Sequence, residues 1–76
     1  MGKYTVTENG KVIHTTRGLN DACCFAGERA DKTRYTADLG TVIEVTHPTR
    51  TNLPFYRLVT VELFLSGQTI RDWSNK

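Results

Sequence analysis

Val6-Thr7-Glu8-Asn9-Gly10-Lys11-Val12 is the stretch on which the fold turns. Asn9 and Gly10 tolerate the positive φ of a type I′ turn and stand between two alternating runs, so residues 3–16 read as a β-hairpin. That turn sets a register in which Glu8 faces Lys11, Thr7 faces Val12, Val6 faces Ile13, Thr5 faces His14 and Tyr4 faces Thr15. Facing pairs share a side of the sheet. Tyr4, Val6 and Ile13 therefore gather on an apolar side, and Thr5, Thr7, Val12 and His14 on a mostly polar one.

Beyond Arg17 and Gly18 the apolar spacing becomes helical. Asn20 is the expected N-cap, Asp21 sits in the first turn where the helix dipole favours it, and Leu19 is placed to pack back onto Cys24. The helix is predicted over residues 21–32. At 100° per residue, Leu19, Ala22, Cys23, Ala26 and Ala30 form one stripe with Phe25 at its flank. Those side chains are small, which lets the helix lie close and flat on a sheet, while Glu28 and Lys32 pair on the wet face. Residues 33–40 form a polar connection, and residues 41–46 form a β-branched strand. The segment 47–54 holds two prolines and reads as a loop. A strand follows over residues 56–65, Ser66 and Gly67 supply a second tight turn, and a last strand covers 68–73, with 74–76 frayed. In that closing hairpin Leu63 faces Ile70, Phe64 faces Thr69, Glu62 faces Arg71 and Thr60 faces Trp73. The order β-β-α-β-β-β predicts an α+β domain: an antiparallel sheet of four or five strands with one helix packed on one face.

Size and composition bound what such a domain does. Its 76 residues carry ten Lys or Arg against eight Asp or Glu, a net charge of +2. A chain this short buries roughly 60% of its unfolded surface, enough for one domain over residues 1–76 and one thin core, with no second lobe to close on a substrate. No apolar run approaches the ~20 residues that span a bilayer, and the N-terminus lacks a signal-peptide core, so a cytoplasmic protein without membrane partners is expected. Cys23 and Cys24 are adjacent and project about 100° apart, which rules out a disulfide between them and fits a reducing compartment. His14 and His47 lie on separate segments without paired ligand spacing, so neither metal nor cofactor is expected.

Catalytic signatures are absent from the sequence. It contains no Gly-rich phosphate loop, no His-Glu-x-x-His, no Gly-x-Ser-x-Gly and no close carboxylate pair on a strand face, and a non-enzymatic protein is expected. Cys24, near the helix N-terminus, reads either as a reactive thiol or as a small filler. His14 reads more simply as a solvated cross-strand neighbour of Thr5 than as a base. Arg29, Lys32 and Arg34, with Tyr35 beside them and Arg50 in the following loop, are the candidates for a nucleic-acid patch. Against that, cations at a helix C-terminus are what the dipole favours anyway, and Glu28, Asp31 and Asp38 dilute the field.

The closing hairpin carries the stronger signal. Tyr56, Leu58, Phe64 and Trp73 fall on one face and Val59, Val61, Leu63 and Ile70 on the other, yet one helix shelters one face only. The expectation is that the aromatic face stays uncovered and binds a protein partner, with Tyr56, Phe64 and Trp73 as apolar anchors and Arg57 and Arg71 as flanking donors. The competing possibility is that a strong twist, or a register offset by one, places the large residues in the core. Edge strands leave both a monomer and a homodimer open.

In plan and size, the hairpin around Asn9-Gly10, the single helix from Asn20 to Lys32 and the closing hairpin resemble small phage-encoded host-takeover proteins. These include anti-CRISPR proteins and inhibitors of host polymerase or nucleases. The resemblance implies a stoichiometric inhibitor that occupies a surface on a larger host protein or nucleoprotein complex. The +2 charge departs from the strongly acidic, DNA-mimicking members of that group.

Overall fold

Asn9 and Gly10 adopt φ of +53° and +84°, the left-handed pair that a two-residue hairpin turn requires. The computed structural model describes residues 2–49 and 54–75. Within them are β1 (Tyr4–Glu8), β2 (Lys11–Thr16), α1 (Leu19–Lys32), β3 (Val42–Thr46), β4 (Pro54–Leu65) and β5 (Gln68–Asn75). All strand pairs are antiparallel, in one sheet ordered β2-β1-β3-β4-β5. The α+β plan read from the sequence is the plan observed.

The first hairpin departs from the expected register after two pairs. Glu8 faces Lys11 and Thr7 faces Val12, but a bulge then shifts the ladder so that Val6 faces His14, Thr5 faces Thr15 and Tyr4 faces Thr16. Ile13 is the extra residue. A bulge breaks the alternation of sides, so Ile13 still packs against the core while His14 comes to the helix side instead of the wet side. There its ring stacks on Phe25, with centroids 4.2 Å apart, and its Nε2 lies 3.3 Å from Asp21 Oδ2.

The helix starts two residues earlier than expected. Gly18, with φ −100° and ψ 129°, occupies the N-cap without a side-chain bond, and Asn20 is already inside the first turn. As the spacing predicts, Ala22, Ala26 and Ala30 form the buried stripe. They meet Val6, Ile43, Val45 and Leu58, and Tyr4, Ile13, Phe25, Tyr56 and Trp73 pack around the margin of this core. At the other end the Thr33 hydroxyl donates to the Arg29 carbonyl at 2.9 Å.

Thr60, 2% exposed, shows how the connection from α1 to β3 is anchored. Its hydroxyl donates to the Asp38 carbonyl at 2.7 Å and accepts the Thr41 amide at 2.9 Å. β5 runs further than expected, with Ser74 and Asn75 paired to Val59 and Leu58 in place of a frayed end.

Candidate functional site

Strand length creates the most prominent surface feature. β3 has five residues and β4 has twelve, and the β3–β4 ladder ends at the Val42–Val59 pair. Residues 61–70 therefore pair only within the β4–β5 hairpin and project as an arm, closed by Ser66 at φ +52° and Gly67 at φ +79°. The pairs of Leu63 with Ile70, Phe64 with Thr69, Glu62 with Arg71 and Thr60 with Trp73 are those the turn predicts.

The two faces of that hairpin are exchanged relative to expectation. Ile43 and Val45 are fully buried, and they pair with Leu58 and Tyr56, so β4 turns Tyr56, Leu58 and Thr60 toward the helix. Trp73, opposite Thr60, follows them. Tyr56 and Trp73 are half-buried against the core and do not form an uncovered patch. Phe64 shares their face but lies along the projecting part, where it is 74% exposed. Leu63 and Leu65 point to the opposite face and are 39% and 56% exposed.

The flanking cations are also separated. Arg57 stands on the helix-free face opposite Glu44, its Nε 3.6 Å from Glu44 Oε2. Arg71 stands on the helix side, where its Nη1 donates to the Ala37 carbonyl at 3.2 Å. Of the five residues proposed as one site, Phe64 and Arg71 are exposed on one face of the hairpin, Arg57 is exposed on the other, and Tyr56 and Trp73 are drawn against the core. Sequence reasoning passed over Leu65 and placed Leu63 under the helix. The signal was present: three consecutive large apolar residues beside a tight turn, at the end of a strand much longer than its neighbour.

Two of the basic candidates are bound by carboxylates. Arg29 donates from Nε and Nη2 to the two oxygens of Glu8 at 2.7 and 3.3 Å. Arg34 does the same to Asp72, both at 3.1 Å. Hydrogen bonding from these guanidiniums is the main cause that holds the Glu8 and Asp72 carboxyls below their ordinary values. Lys32 is exposed, and Arg50 lies outside the described residues.

Cys23 is half-buried and Cys24 exposed. Among the described residues, no group of three or more His, Cys, Asp or Glu is arranged to hold a metal, and no helix is long and apolar enough to cross a membrane. Compared with family models, curated proteins and solved structures, the chain matches none.

Proposed function

We propose that this chain is a non-enzymatic binding module that attaches to a protein partner, alone or within a nucleoprotein complex, through the β4–β5 arm. It acts by covering the surface it binds, in the manner of the small phage inhibitors whose plan it resembles. The observation that carries this reading is the exposure of Leu63, Phe64 and Leu65 on an arm that reaches past the rest of the sheet. Large apolar residues in succession on a surface have no packing role within the chain and mark an interaction site. Fully burying a large apolar side chain is worth about 1.5–3 kcal/mol, and Phe64 on one face with Leu65 and, in smaller part, Leu63 on the other keep a share of that for a partner that grips the arm. An aromatic centre with Arg71 and Glu62 beside it matches the usual make-up of an interface.

A nucleic-acid reading would rest on Arg29, Lys32, Arg34 and Arg50. It is the weaker one, because Arg29 and Arg34 already donate to Glu8 and Asp72.

The test is affinity purification from the source cells with the wild-type chain and the double variant Leu63→Ser, Phe64→Ser. A partner captured stoichiometrically by the wild type and lost by the variant, at nearly unchanged Tm, is the expected result. Retention of the same partner by the variant overturns the arm as the contact. Binding to duplex or single-stranded nucleic acid that weakens steeply with salt would transfer the function to the basic residues.

A further inference from the structure

Among the described residues the sheet presents three runs of open backbone: the outer edges of β2 and β5, and the side of β4 that β3 leaves uncovered beyond Val59. Two of them are guarded. The bulge at Ile13 bends β2, a common protection for an edge. On β5 the Asp72 carboxylate accepts the outward Trp73 amide at 2.7 Å and is itself held by Arg34. The third run carries no such device. Thr60 donates its N–H to the Thr41 carbonyl at 3.0 Å and accepts the Gly40 amide at 3.3 Å. Backbone groups of an antiparallel strand alternate in side, so Glu62 and Phe64 turn theirs the same way as Thr60, where no described strand meets them. A regular, apolar, unguarded edge is a template for another strand.

We infer that a second copy of this chain pairs with that edge, β4 against β4 in antiparallel register about a two-fold axis at Leu63. The length of the edge selects this occupant. It spans residues 61–65, an odd number, so a copy centred on Leu63 covers it without overhang: Val61 faces Leu65, Glu62 faces Phe64, and Leu63 faces its own counterpart. Glu62 and Phe64 then exchange N–H···O=C bonds across both of their pairs, and every open group of the run is answered. A register moved toward the body drives the Ser66-Gly67 turn against Thr60, whose backbone is already taken, and one moved toward the tip leaves groups unanswered. Glu62, the single charge in the run, meets Phe64 and not another carboxylate. A lone two-stranded ribbon is marginal in water, whereas the paired arms make four strands with Val61, Leu63 and Leu65 of both copies on one face. These bonds are made by the backbone, so the apolar side chains of the arm stay available to the partner proposed above. Either reading can fail without the other.

Light scattering on the purified chain over a dilution series reads the dimer with no other protein present. Twice the chain mass is expected at about 100 µM, falling to the single mass near about 1 µM, as for a small reversible interface. Glu62→Pro removes one outward N–H from each copy and spares the β4–β5 ladder; it should weaken pairing about tenfold or more, with Tm within about 5 °C of the wild type. Leu63→Lys and Leu63→Glu set like charges opposite each other, so each should be monomeric, and an equal mixture of the two should recover the doubled mass. That mixture decides the register even where Glu62→Pro loses its fold. A wild-type chain that keeps the single mass at every concentration overturns the dimer and leaves the edge to a strand of another protein. A dimer unmoved by a folded Glu62→Pro, or Lys and Glu variants that stay apart when mixed, overturns the pairing at Leu63.

Discussion

Glu8 ties the first hairpin to the helix, since its two oxygens accept the Nε and Nη2 of Arg29 from across the layer. Those hydrogen bonds are the largest influence on its carboxyl, desolvation opposes them, and the guanidinium charge reinforces them, leaving the group below its ordinary value of 4.5. Asp72 is held below 3.8 chiefly by Arg34, with help from the Trp73 amide. Both groups are thus more acidic in the folded chain than in the unfolded one, which takes up protons first as pH drops. The stability they add is complete above their unfolded values and is lost as pH falls through their folded values. Thermal melts are accordingly expected to show Tm level from about pH 7 to about pH 5 and declining below about pH 4.5. Glu8→Gln should lower the neutral Tm slightly and flatten the acid decline; because the pair is largely solvated, its cost should stay below about 1 kcal/mol. Thr60 presents the opposite case. Thr60→Val keeps the shape but removes the hydroxyl that joins the Asp38 carbonyl and the Thr41 amide, which keep their 3.1 Å bond to each other, and chemical denaturation should register a loss of about 1 kcal/mol.

Among the elements, the two hairpins follow the same turn chemistry to different ends. Ser66 and Gly67 both have positive φ, a conformation that Asn followed by Gly suits best. Ser66→Asn should stabilise the arm by a few tenths of a kcal/mol, and Gly67→Ala should weaken it by about 1 kcal/mol, both visible as changes in amide exchange confined to residues 61–70. From that turn the whole β4–β5 register was legible, because the ladder runs unbroken for eight pairs. The Asn9-Gly10 turn revealed two pairs only. Two successive residues, Ile13 and His14, both find partners on the helix side, and a strand meets that demand only by giving up its alternation. No local pattern announces such a bulge, since the demand comes from Phe25 and Asp21 on an element folded over the hairpin.

At the scale of the whole molecule, the arm makes the protein long. Its principal extents are 50 × 22 × 18 Å and its radius of gyration is 13.2 Å, against about 11 Å for a compact chain of this length. Small-angle scattering of a monomer should return a value near the larger figure; self-association through the arm would raise it further, with a doubled mass by light scattering. The helix packs on β1, β2 and β3, so the body and the arm are unequal in stability. Replacing Leu63, Phe64 and Leu65 together by Ser should leave Tm within about 5 °C of the wild type, because those side chains lie outside the core. A collapse of the fold in that variant would show the arm to be structural.

Taken alone, the sequence determined the order of the elements, the small-residue stripe of the helix, both turn types and the fact that the closing hairpin is apolar on two sides. These are local properties, written in spacing and in the conformations that Asn-Gly and Ser-Gly allow. Which of those two sides is sheltered was decided by tertiary structure. β4 pairs with β3, and β3 must bury Ile43 and Val45 to keep Glu44 in water, so Tyr56 and Leu58 go in and Arg57 goes out. A strand's alternation defines two faces but assigns neither to the core; only its neighbour in the sheet does that.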